Sequence, residues 1–325
     1  MKHHMTHPMR HPMTQAVTTF TIVLAGLVVA YFSFARVEPL KGSYWALSFL
    51  FVVLGWVLAW AAGWLLTLLC KTSRLAPFLV PAVFGIVVLM TWEYYVAGSH
   101  IPLVLLPAPS QVGAKLIHSL PILAADFQQT ILRAVIPGWI MGCSAGFLVA
   151  LVCDRFDFLR RGLLPLGNLV AALPIVGVAP ILVMWFGFDW PSKAAMVVVM
   201  TFFPMLINTL AGLAVSGRME RDLMRSYGAG WSTTLLKLRL PAAMPFVFNA
   251  LKINSTLAMI GAIVAEFFGT PIVGMGFRMS TEVGRQGLDM VWAEIAVAAL
   301  AGSAFYGCLT LLERGVTFWH PSYRR

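Results

Sequence analysis

Eight apolar stretches, each about as long as a bilayer is thick, constrain this chain more than any motif in it. They cover residues 15–34, 44–69, 78–97, 131–153, 163–188, 194–215, 243–268 and 291–312. A hydrocarbon core of roughly 30 Å takes about 20 residues of helix to cross. Backbone amides inside it are satisfied within their own segment, so each stretch is predicted to be helical. None alternates in the manner of a barrel strand. With 59% hydrophobic and 11% charged residues, against roughly 25% charged in soluble domains, the expectation is an all-α, polytopic membrane helix bundle. Residues 1–14, with His3, His4, His7 and His11, read as a disordered tail rather than a metal site. No cleavage pattern follows the first apolar run, which is therefore expected to be retained.

The net charge of +10 forms no continuous basic stripe, which argues against nucleic acid. It fits the positive-inside asymmetry of membrane proteins. The largest basic block, Arg218, Arg221, Arg225, Lys237 and Arg239, is then predicted to face the cytoplasm, as are both termini. Cys70, Cys143, Cys153 and Cys308 show no paired spacing, so neither a disulfide nor a zinc site is expected.

The fifth stretch carries Pro174, Gly177 and Pro180. Two prolines remove two helical hydrogen bonds and are expected to bend or break it, as a packing kink or as part of a path. Asn208, Asn254 and Glu266 are the other path candidates. For the two asparagines, bonding between helices is an equal reading. A carboxylate at the centre of a bilayer costs about 2.5–3.5 kcal/mol, so Glu266 is expected to face protein, water or the interface. Gly142, Gly146, Ala298, Gly302, Ser303 and Gly307 suit close helix packing.

Segment 217–241 carries the functional signal. Arg218, Arg221 and Arg225 recur three and four apart on one predicted helical face, with Met219, Leu223 and Met224 apolar beside them. Gly228 is placed as a C-terminal stop. A second short helix is predicted from Trp231 to about Leu240, running into Pro241 where the next membrane helix begins. Such a helix-turn-helix is a docking knob.

The spacing resembles the cytoplasmic signature loop of importer permeases in the ATP-binding-cassette superfamily. Asp222, Leu223 and Met224 stand at that pattern's Glu-Ala-Ala, Gly228 at its glycine, Leu238 at its isoleucine, and Leu240-Pro241 at its Leu-Pro. Leu106-Pro-Ala-Pro-Ser-Gln-Val112, Pro241-Ala-Ala-Met-Pro245, Ile263-Val-Ala-Glu266 and Gly274-Met-Gly276 are similar to segments of the nitrate, sulfonate and taurine permease group. The likeness covers about residues 78–320. It implies a six-helix type I permease core, 76–325, with two additional N-terminal transmembrane helices in 15–75.

The resemblance also implies partners: a separate ATPase that receives the knob and holds ATP and magnesium, an extracytoplasmic solute-binding protein, and a second permease copy in the bilayer of a bacterial inner membrane. No Gly-x-x-x-x-Gly-Lys-Ser/Thr loop occurs in the chain, so no ATPase site or cofactor of its own is expected. Two rival classes stand beside this expectation. A self-contained secondary transporter or channel is the alternative, expected to carry coupling charges or broken helices in inverted repeats. A membrane enzyme is disfavoured: His100, His118 and Asp126 come with no HExxH or Gly-x-Ser-x-Gly pattern, and Gly274-x-Gly276 is too short for a dinucleotide loop.

Overall fold

The computed structural model describes residues 76–98, 101–171, 174–269 and 272–319, with Val53, Trp56, Val57 and Trp60 ahead of them. The expected tail and first two spans lie outside the described residues, and the chain divides into two compact units, Met1–Ser110 and Gln111–Arg325. Every regular element among the described residues is helical.

In the first unit, α1 (Ala76–Gly98) occupies the third apolar stretch. Its Glu93 carboxylate accepts from the Ser110 N–H at 2.8 Å and from its hydroxyl at 2.6 Å. Ser110 lies in the first turn of α2 (Pro109–His118), where unpaired N–H groups favour a negative partner.

The second unit is built on α3 (Leu120–Phe127), α4 (Ile136–Arg155), α5 (Asp157–Ala171), α6 (Ile175–Phe186), α7 (Trp190–Ala214), α8 (Arg218–Ser226), α9 (Trp231–Thr234), α10 (Leu240–Glu266), α11 (Met275–Gly284) and α12 (Leu288–Val316). Two joins are π-helical: Gln128–Val135 links α3 to α4, and Leu235–Arg239 links α9 to α10. Among the described residues, four helices are long and apolar enough to cross a membrane: Leu120–Arg155, Trp190–Ala214, Trp231–Glu266 and Leu288–Val316.

Each π segment ends just ahead of a proline, Pro137 and Pro241, the second residue of α4 and of α10. Proline lacks an N–H and collides with the carbonyl four residues back. Widening the preceding turn relieves that conflict without ending the helix. The second arm of the predicted knob is therefore continuous with the next span rather than a separate helix.

The fifth stretch does break. α5 ends at Ala171, and Pro174, extended at φ −68° and ψ 111°, starts α6. Two short helices, α5 and α6, take the place of a single crossing helix over residues 163–188.

The core lies where α4, α7 and α10 meet. Ile131, Val135, Val197, Ala258, Met259 and Ala262 pack together there with Met275 and Met279 of α11. Glycines make the α4–α7 approach possible: a Cβ on Gly138 would lie 2.7 Å from that of Val197, and one on Gly146 3.0 Å from that of Met205. On α12, Ala298 and Ala301 pack against this core, but not every small residue of that helix does. A Cβ on Gly307 would meet nothing within 4 Å.

Candidate coupling elbow and the clamp at the far end

Segment 217–241 folds into a helix, a stop and a second helix. α8 starts after Gly217 with Glu220 in its first turn, a carboxylate at the positive end of the helix. Gly228 ends it at φ +69°. The Gly228 N–H donates to Arg225 O and the Ala229 N–H to Met224 O, each at 2.9 Å, the paired bonds of a Schellman stop.

The three arginines expected on one face divide their work. Arg218 and Arg225 are exposed, whereas Arg221 turns back and donates to the carbonyls of Ser216 at 2.6 Å and Ala214 at 3.4 Å. A cation there opposes the negative end of α7 and ties the elbow to that span. Asp222 meets only Arg225 at 3.7 Å on the surface, a pairing of small value. Met219, Leu223 and Tyr227, four apart, form an apolar stripe exposed at 85%, 56% and 80%. Met224, Leu238, Leu240 and Pro241 are half-buried behind it.

The second arm is pinned to the ends of two other helices. Arg239 donates to both oxygens of Asp154 at 2.7 and 2.5 Å, and its Nε donates to Leu213 O at 3.1 Å. Arg155 lies over the Trp231 ring at 5.5 Å. The second arm is thereby tied to α4, α7 and α10 together.

The path candidates stand on α6, α7 and α10. Pro174 forms the break and Pro180 lies inside α6. Asn208 bonds the Pro204 carbonyl of its own helix at 2.8 Å. Asn254 is enclosed and donates to Thr201 O at 2.8 Å and Cys143 Sγ at 3.2 Å, joining α10 to α7 and α4.

Glu266 belongs to a buried clamp at the end remote from the elbow. Three consecutive N–H groups at the start of α11 each find an acceptor: Gly274 to Asp126 Oδ1 at 2.6 Å, Met275 to Thr130 Oγ1 at 2.9 Å, and Gly276 to Glu266 Oε2 at 2.7 Å. The Thr130 hydroxyl donates to Glu266 at 2.8 Å, and Arg278 Nε donates to Asp126 Oδ2 at 2.9 Å. That bond to Asp126 holds the Arg278 guanidinium above its ordinary pKa, with burial opposing.

Glu294 is fully buried beside Asp126. Lys193 donates to Phe188 O at 2.6 Å and to Gly269 O, and it faces Glu266 and Asp189. Glycine is required where the clamp closes: Gly274 sits at φ +142°, and a Cβ there would lie 2.8 Å from the Glu266 carboxyl carbon.

The sequence model of a known family, described as "Binding-protein-dependent transport system inner membrane component", matches residues 138–318, from the close α4–α7 contact through the elbow to the end of α12. The chain belongs to this family. Among its relatives, a "Probable ABC transporter permease protein" of Haemophilus influenzae is 29% identical over 73% of this chain and 94% of its own length. A "Formylaminopyrimidine transport permease protein" of Halalkalibacterium halodurans is 30% identical over 74% of this chain and 96% of its own. A "Putative aliphatic sulfonates transport permease protein" of Bacillus subtilis is 27% identical over 62% of this chain and 72% of its own.

A permease of this family is an integral inner-membrane transport component, not an enzyme, and membership implies a separate ATPase and a solute-binding protein as partners. Sequence reasoning found the elbow and the break. It missed Asp126, Thr130 and Arg278 as a group and the inward turn of Arg221, because these are contacts between distant segments. A signal was present in the Gly-x-Gly that starts α11 and the Glu266 carboxylate ten residues before its second glycine.

Proposed function

We propose that this permease forms the transmembrane path for a small solute in an ATP-driven importer, working by alternating access. Two copies would enclose one path, the elbow and both termini would face the cytoplasm, and a solute-binding protein would deliver substrate from outside. Relatives named for sulfonates, formylaminopyrimidine and riboflavin support a small organic or oxyacid solute.

The observation that carries this reading is the elbow: an apolar stripe of Met219, Leu223 and Tyr227, bordered by exposed Arg218 and Arg225 and locked to three spans through Arg239–Asp154 and Arg221. Exposed apolar side chains set four apart suit an anchor for a partner groove. Rigid backing turns the partner's motion into helix motion.

The test has two parts. Cells carrying Ser226→Cys are treated with a membrane-impermeant maleimide, which should label this position only after permeabilisation; labelling in intact cells overturns the assigned sidedness. Leu223→Asp should abolish co-purification of the partner ATPase. Uptake that persists without an ATPase would favour a self-contained transporter instead.

A further inference from the structure

Arg133 stands 22 residues before Arg155 in the continuous helix Leu120–Arg155, about 33 Å of helix at roughly 1.5 Å per residue. That is about one hydrocarbon thickness from the elbow's anchorage, at the opposite membrane face. Here the turn widened ahead of Pro137 carries Gln128, Gln129 and Arg133, and π-helical turns of this kind gather at functional sites. They line a pocket of about 310 Å³ with Ala125, Asp189 and Val273, a size suited to a small solute.

The charges in this pocket are unevenly engaged. Asp189 Oδ1 accepts from the Gln129 amide at 3.0 Å and from the Trp190 N–H at 2.8 Å, and the buried Lys193 ammonium faces the same carboxylate. Arg133 is exposed and bonds only to the neutral Gln129 Oε1, at a long 3.3 Å. No carboxylate lies within ion-pair distance of it among the described residues. A guanidinium presents five donors in a fork that matches a planar or tetrahedral oxyanion. An ionisable group kept at a span is costly and is a functional-site candidate.

We infer that Arg133, with Gln128 and Gln129, forms a contact station at the outer mouth of the path for a small solute bearing one oxyanion group, sulfonate or carboxylate. The proposal rests on the import reading above and narrows it: among the solutes its relatives are named for, it selects the oxyacids over riboflavin. The Gln129 bond holds the guanidinium over the pocket, and Gln128 supplies a neutral amide donor. Asp189, already occupied, disfavours a second negative charge.

The test uses the full permease co-purified with its ATPase in nanodiscs, with radiolabelled ethanesulfonate as the probe in an equilibrium binding assay. Saturable binding is expected, displaced by unlabelled ethanesulfonate and by propionate but not by riboflavin. Arg133→Gln should weaken it at least tenfold, Arg133→Lys less, and Gln128→Glu should weaken it by setting a carboxylate in the pocket that repels the solute and competes for Arg133. Retained ATPase co-purification separates the two readings: an assembled complex with no saturable binding, or binding equal in wild type and Arg133→Gln, overturns the station alone. Loss of assembly in the wild type overturns the importer reading itself.

Discussion

Arg239 and Asp154, 85 residues apart in sequence, meet through two parallel bonds of 2.7 and 2.5 Å where the elbow enters the bundle. Both side chains are largely enclosed, at 13% and 6% exposure. Removing one partner of an enclosed pair strands a charge, with losses of about 3–5 kcal/mol. Arg239→Gln should therefore lower the melting temperature of the detergent-solubilised permease. It should also uncouple the transporter: reconstituted vesicles should hydrolyse ATP while solute uptake per ATP falls. The swapped pair Arg239→Asp with Asp154→Arg should recover part of both losses.

The stop at Gly228 gives a conformational test. No atom lies within 4 Å of where its Cβ would go, yet its φ is +69°. A side chain therefore has space but a strained backbone, costing roughly 1–2 kcal/mol in the left-handed region. Gly228→Val should reduce ATPase co-purification, and Gly228→Asn should reduce it less, since asparagine tolerates that conformation. Equal retention by both variants would remove the stop from the docking argument.

At the far end the expected result is steric. A Cβ on Gly276 would lie 2.9 Å from that of Glu266, so Gly276→Ala should cost about 1–3 kcal/mol by overpacking. Thr130→Val removes the hydroxyl shared by Glu266 and the Met275 N–H. It should cost a similar ~1–3 kcal/mol through unsatisfied buried groups. Gly113→Ala, in α2 with nothing within 4 Å, is the control and should be neutral or stabilising. Thermal unfolding of the three variants in one detergent decides between them.

The Arg278–Asp126 bond predicts a pH profile. Hydrogen bonding to Asp126 raises the Arg278 pKa above its ordinary value. A raised pKa means stability that is complete at lower pH and lost only as pH rises through the folded value, here beyond the reach of ordinary buffers. The contribution should be flat across the working range. Arg278→Lys brings the loss to about pH 10, near the ordinary lysine value, so that variant should melt earlier than wild type above pH 9 and more nearly alike at pH 7.

Much of this architecture is legible along the chain because its causes are local. Hydropathy marks the spans, Pro174 marks the break, and Gly228 with its flanking helix formers marks the elbow. What escapes is whatever depends on packing between distant segments. The arginine periodicity of α8 gives a shared face but not the inward turn of Arg221, which is set by the carbonyls at the end of α7. Asp126 and Arg278 are 152 residues apart, and neither has a neighbour that announces the other. Pro241 reads as a boundary between helices. The π-helical turn that lets the helix pass through it has no separate sequence mark.

The fastening at the remote end is written in main chain on one side and side chain on the other. Gly274, Met275 and Gly276 contribute their amides to it, and because the Met275 side chain is itself fully buried in the core, the middle position is held to an apolar residue of similar bulk while its neighbours stay without a side chain. A polar residue between the two glycines would strand an unsatisfied group in that core, so a single substitution there should loosen the seam and the packing beneath it together.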